Sequence, residues 1–158
     1  MQNFTHIDKN GNPSMVDVGE KIPTKRTAKA RSIVVLDEII LEKLQNEEIH
    51  TKKGPVFQTA IIAGVMAAKK TGDLIPLCHP LGLENCQIDI FLNENKEVII
   101  ECTASLTGKT GIEMEALTGA SIAALTIYDM CKAFSHHIII KETRLISKTG
   151  GKKDFYLS

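Results

Sequence analysis

The residues best suited to chemistry fall in two stretches of this sequence. Asp129 and Lys132 stand three positions apart in the apolar run Ala123-Ala-Leu-Thr-Ile-Tyr-Asp-Met-Cys-Lys132, so on a helix they share a face and can pair. A carboxylate and an amine half-buried there would have shifted pKa values suited to proton transfer. On open surface the same pair contributes only about 0.3 to 0.5 kcal/mol. Glu113 and Glu115 flank Met114 in what reads as the first turn of the same helix, where the helix dipole favours negative charge. Cys78-His79 lies between Pro76 and Pro80. A rigid extended loop of this kind mounts either a titrating imidazole or a hydrogen-bonded structural one.

Cations cluster despite the balance of 19 basic and 19 acidic residues. Lys21, Lys25, Arg26, Lys29 and Arg31 follow one another with no acid among them, and Lys52-Lys53, Lys109 and the lysines at 148, 152 and 153 form further groups. All sit beside Gly or Pro, as expected where amides and cationic side chains close around a phosphate-bearing small molecule. The alternative is plain solvated charge. With no net charge, indiscriminate binding to nucleic acid or anionic membranes is not expected. Thr107-Gly-Lys-Thr-Gly111 is not a P-loop, because Thr103 stands where GxxxxGK[ST] needs glycine. A helix N-terminus after glycines still suits an anion.

No metal site is expected. Cys78, His79 and Cys86 match no zinc spacing, and the calcium-like Asp8-Lys-Asn-Gly-Asn-Pro13 has proline where that loop needs glycine. Four cysteines without CxxC spacing, no export signal and no long apolar run point to reduced thiols and a cytoplasmic protein.

These groups need a scaffold, and the 158 residues suit one domain spanning 1–158. Residues 1–30 read as a flexible, irregular arm and 147–158 as a basic tail. Between them the patterning predicts a strand over 32–36, then a helix capped by Asp37 that carries Ile40, Leu41 and Leu44 to about residue 48. A buried small-residue helix over 56–70 and an extended segment over 74–81 follow. A hairpin of strands 87–92 and 97–103 leads to a helix over 113–133 whose core face is Met114, Leu117, Ser121, Leu125 and Tyr128. A last strand covers 137–146. Setting one helix aside, this order is the split βαβ, or ferredoxin-like, α+β plan: an antiparallel sheet with helices packed on one face.

Longer motifs carry a resemblance. Met15-Val-Asp-Val18, Ile75-Pro-Leu-Cys-His-Pro-Leu81, Leu106-Thr-Gly-Lys-Thr-Gly-Ile-Glu-Met-Glu-Ala-Leu117 and Ala123-Ala-Leu-Thr-Ile-Tyr-Asp-Met-Cys-Lys-Ala133 resemble the signatures of the molybdenum cofactor biosynthesis protein C family, the cyclic pyranopterin monophosphate synthases. The likeness spans residues 4–155. It implies rearrangement of 3′,8-cyclo-7,8-dihydro-GTP, supplied by a radical GTP cyclase upstream, into cyclic pyranopterin monophosphate with loss of pyrophosphate. The work is acid–base chemistry with no tightly bound cofactor, Mg²⁺ entering if at all with the triphosphate.

Matched motif by motif, the resemblance implies catalytic roles for Asp129, Lys132, Lys53, His79 and Glu115. It implies substrate binding by Leu77, Cys78, His79, Glu113, Met114 and Glu115, and phosphate binding by Lys21, Arg26 and Lys148; Lys29, Arg31 and the 151–154 stretch match less closely. It also implies a homohexamer, a trimer of dimers, with the site at the dimer interface. From the residues alone, a non-catalytic ligand-sensing module and a metal or redox protein are the competing readings.

Overall fold

The computed structural model describes residues 6–158, and the first five residues of the expected arm lie outside the described part. Strand β1 (Thr24–Val35) leads into the one-turn helix α1 (Glu38–Leu41), short strands β2 (Leu44–Gln45), β3 (Glu48–Thr51) and β4 (Gly54–Pro55), helix α2 (Val56–Lys69) and the turn of helix α3 (Thr71–Leu74). The strands β5 (Asn85–Leu92) and β6 (Val98–Gly108), helix α4 (Glu113–Cys131), β7 (Ile139–Thr149) and the two-residue β8 (Phe155–Tyr156) complete it.

The main sheet runs β5-β6-β1-β7-β8, every pair antiparallel. Because β6 lies between β1 and β5, those two strands are parallel and split, with α2 as their crossover. This is the ferredoxin-like α+β fold, α2 and α4 packing on one face of the sheet.

The central strand begins earlier than the sequence suggests. Residues 24–30, expected within the irregular arm, are the first seven residues of β1. Alanine is a weak strand former, and alternating alanine and cation resembles a loop. The period of two decides which cations can share a site. Ala28, Ala30, Ser32 and Val34 are buried toward the helices, and Arg26 continues that face. Lys29 and Arg31 point the other way, where both bind Glu101 of β6, Lys29 Nζ lying 3.0 Å from its Oε2. Burial raises the Glu101 carboxyl, but the Arg31 and then the Lys29 hydrogen bonds outweigh that and hold it below the ordinary range.

The expected helix through residue 48 ends at Leu41. Asn46 and Glu47 both take positive φ, 49° and 62°, and form a two-residue turn between paired Gln45 and Glu48, the left-handed conformation that a tight hairpin requires. Glu48 has a structural task that its sequence position does not reveal. Its buried carboxylate accepts the amide N–H groups of Phe57 at 2.8 Å and Gln58 at 3.1 Å, capping α2, whose own N-cap, Pro55, offers no side-chain acceptor.

The expected core face of α4 is also corrected. Its buried residues are Glu115, Ala116, Gly119, Ala120, Ala123, Ala124, Ile127, Met130 and Cys131, while Met114 and Leu125 are exposed. The small-residue stripe wins because it lets α4 approach the sheet and α2 closely. A Cβ on Gly64 of α2 would stand 2.8 Å from the Gly119 carbonyl oxygen, and one on Gly119 would stand 2.6 Å from Cys102 Sγ. Helix propensity alone would make Gly64→Ala stabilising by about 1 kcal/mol. A backbone oxygen cannot yield, so the expected result is a net loss of about 1–2 kcal/mol, read as a lower urea midpoint at unchanged slope.

At the other end, β7 runs to Thr149, beyond the expected strand limit of residue 146, and so takes in the start of the expected tail. Lys148 pairs across the sheet with Ala28, which puts it on the helix side with Arg26. Among the described residues, no helix is long and apolar enough to cross a membrane.

Candidate active site

Two clefts meet beside the N-terminus of α4. The first, about 530 Å³, is walled by the start of β1, the end of β7, the tail and the loop entering α4, and its cations are Arg26, Lys148, Lys152 and Lys153. The second, about 500 Å³, is lined by Lys21, Leu77, Cys78, His79, Met114 and Glu115, with the segment containing Val16 and Val18 across it. Gly111, Glu113 and Lys152 line both, so the two form one groove with a cationic end and a mixed apolar and acidic end.

At the cationic end, Lys148 Nζ donates to Glu113 Oε1 at 2.7 Å. Arg26 Nε is buried with no hydrogen-bond partner. A buried donor left unpaired costs about 1–3 kcal/mol, and Arg26 itself lines this cleft.

At the mixed end, Glu115 is only 3% exposed. Burial raises its carboxyl above the ordinary range; its own backbone amide opposes this, and the Glu113 charge adds to it. A carboxyl so tuned is suited to proton donation. Burial, then the Glu115 charge, pushes the Cys78 thiol up, so the thiol stays protonated at neutral pH. His79 Nε2 lies 2.7 Å from the Val16 carbonyl oxygen. A carbonyl only accepts, so Nε2 carries a proton and donates, and Nδ1 is the ring nitrogen that this bond does not engage. Lys109 Nζ donates to the Gly19 carbonyl at 2.7 Å; with His79 it ties the N-terminal segment over the cleft.

The third group lies elsewhere. Lys53 occupies the two-residue turn between β3 and β4, where its amide donates to Thr51 Oγ1 at 3.0 Å. Its ammonium reaches Asp129 Oδ2 at 2.9 Å, and Lys132 reaches Asp129 Oδ1 at 3.0 Å. The Lys53 hydrogen bond, then that of Lys132, holds the Asp129 carboxyl below its usual range. All three side chains are about half exposed, not sunk in the apolar stretch around them.

Glu115 is in the first turn of α4 and Asp129 in the last, about 20 Å apart along the axis at the helical rise per residue. Within one chain, therefore, Leu77, Cys78, His79, Glu113, Met114, Glu115, Lys21, Arg26 and Lys148 gather along one groove, and Lys53, Asp129 and Lys132 form a separate surface cluster. Lys29 and Arg31 belong to neither. Lys152 and Lys153 join the cationic cleft; their signal was the glycine-rich basic tail. Among the described residues, no three His, Cys, Asp or Glu side chains come together in a metal-binding arrangement. The loop at Asp8 is instead closed by its carboxylate, which accepts the amides of Asn10 and Asn12.

The described chain is thus a ferredoxin-like domain with a cation-lined groove at one end of its long helix and a Lys-Asp-Lys cluster at the other. The MoaC family model matches residues 15–151, and the chain belongs to that family. It is 54% identical over 155 residues to the molybdenum cofactor biosynthesis bifunctional protein of Synechocystis sp., covering 96% of this chain and 45% of the relative. To molybdenum cofactor biosynthesis protein 1 of Dictyostelium discoideum it is 52% identical over 166 residues, covering 94% of this chain and 26% of the relative. To the cyclic pyranopterin monophosphate synthase of Xanthomonas oryzae it is 49% identical over 151 residues, covering 96% of this chain and 92% of the relative. The chain thus spans less than half of the first two relatives and nearly all of the third.

Proposed function

We propose that this protein is a cyclic pyranopterin monophosphate synthase, a lyase that converts 3′,8-cyclo-7,8-dihydro-GTP into cyclic pyranopterin monophosphate and pyrophosphate during molybdenum cofactor biosynthesis. The carrying observation is the groove: a cationic cleft with an unpaired buried Arg26 Nε opens into a cleft that holds the buried Glu115, its carboxyl raised above the ordinary range by burial. The first suits a triphosphate, with any Mg²⁺ arriving as part of the substrate; the second suits a flat polar ring system.

Forming the cyclic phosphate requires a sugar-derived hydroxyl to attack the α-phosphorus while the bond to the β-phosphate breaks and pyrophosphate leaves. Arg26, Lys148, Lys152 and Lys21 stabilise the charge that builds on the phosphates. Glu115 donates and retrieves protons at the rings, and the free Nδ1 of His79 accepts a hydrogen bond from a ring or sugar donor. Lys53 and Lys132, both paired with Asp129, supply further protons and positive charge.

Since the two groups stand at opposite ends of α4, a second subunit brings its Lys53, Asp129 and Lys132 to the groove of the first. Exposed Ile62 and Met66 on α2 and Leu125 on α4 favour assembly, which we take to be the trimer of dimers, with sites at dimer interfaces. The substrate comes from a radical GTP cyclase.

The test is to incubate the protein with the cyclised GTP derivative and assay pyrophosphate together with a pterin that fluoresces after oxidation. Stoichiometric release of both is expected. Binding without either product would leave a ligand sensor, and metal co-purifying at fixed stoichiometry without turnover would favour a metal or redox protein.

A further inference from the structure

Glu113, expected among the substrate-binding residues, is bound to a cation of the phosphate cleft. Its carboxylate lies on the wall shared by the two clefts and accepts from Lys148 at 2.7 Å. Room for it there depends on Gly111: a Cβ at that position would overlap Glu113 Oε2 and stand 2.8 Å from its Cδ. A carboxylate and a phosphate ask the same thing of an ammonium group, a short charge-assisted hydrogen bond. In the free chain, then, one cleft holds a cation already engaged by an internal anion beside Arg26 Nε, a donor that has none.

We propose that Glu113 is a built-in occupant of the phosphate cleft, its carboxylate holding Lys148 until a polyphosphate displaces it. A phosphate oxygen drawn to Arg26 meets the Glu113 charge, and like charges within hydrogen-bond range cannot both keep one ammonium without repulsion. The phosphate takes Lys148 and the carboxylate swings off. From the shared wall its nearest other space is the ring cleft, where Glu115 lies. Phosphate binding thereby delivers a second carboxylate to the ring end, so the acid–base groups assemble only when the triphosphate is seated. The Glu113 charge already helps raise the Glu115 carboxyl, and closer approach strengthens that coupling.

The proposal rests on the phosphate assignment above, so its test separates the two. Inorganic tripolyphosphate, which has no rings, is titrated calorimetrically at fixed ionic strength into the wild-type protein, Glu113→Gln and Lys148→Ala, each checked for fold by circular dichroism. Removing the internal competitor is expected to tighten tripolyphosphate binding about fivefold or more, with the gain shrinking as salt rises. Lys148→Ala is expected to weaken it. Glu113→Gln binding as the wild type does, or more weakly, overturns the occupant while leaving the phosphate cleft in place. Equal binding by the wild type and Lys148→Ala removes the phosphate assignment, and the occupant with it.

Discussion

Asp129→Ala is expected to lower turnover about 10²- to 10⁴-fold while leaving the circular dichroism spectrum and the unfolding midpoint close to wild type. Two observations separate the effects on chemistry and on stability. The carboxylate sits at the end of α4, half exposed, and its partners are ammonium groups, not core atoms. Exposed ion pairs of this kind contribute little to folding, so its loss is expected to be felt in the placing of Lys53 and Lys132 and not in stability. The direction of its pKa shift also says how it works. A carboxyl held below its ordinary range by two ammonium groups is a weak base at neutral pH, and its expected effect is to keep both lysines aimed. Asp129→Asn, which retains a hydrogen-bonding side chain without the charge, is therefore expected to be nearly as damaging as alanine. Near-normal turnover by Asp129→Ala would remove the Lys53-Asp129-Lys132 cluster from the site.

The second large effect is a recovery. Glu115→Gln and Asp129→Ala proteins are each expected to be almost inactive, but subunits mixed after dissociation and reassembled together are expected to regain activity. If a site takes Glu115 from one chain and Asp129 from another, random equimolar mixing leaves about a quarter of sites with both native residues. Within a single chain the residues are too far apart for one small molecule to touch both, so no intrachain arrangement of this fold predicts a rescue. Activity that stays at the level of the parent variants, with mixed oligomers demonstrated by mass, would sink the two-chain site. The experiment reads Glu115 as well: a residue that only packs would leave Glu115→Gln active before any mixing.

How far the site could be read in advance varied with the kind of residue. The helix expected over 113–133 forms as Glu113–Cys131, because its pattern is long and the loop before it is punctuated by glycine, whereas β6 runs past the expected limit of residue 103 and takes in Thr107 and Gly108 of the expected loop. The chemistry-bearing positions along α4 lie where a straight helix puts them, Glu115 in the first turn and Asp129 in the last. The buried side of that helix differs from the one its large apolar residues predict. Large apolar residues at three- and four-residue steps suggested one face, and close approach to Gly64 selected the alanine and glycine face instead.

The run of cations from Lys21 to Arg31 shows the same limit more sharply. Its charge was visible, but nothing local marked residues 24–31 as the middle of a sheet. Pairing with β6 and β7 made them a strand, and the alternation of a strand sent Arg26 to the groove and Lys29 and Arg31 to Glu101 on the opposite face.

By its own order, then, the sequence determined the inventory of acids, bases and cations, the succession of long elements and the family, since these depend on residue type and short-range period. Only the tertiary structure decided which groups share a cavity, that Glu113 holds Lys148, and that Asp129 stands a helix-length from Glu115. Those facts depend on strand pairing and helix packing between residues far apart in the chain, and no local pattern encodes a distance of that kind.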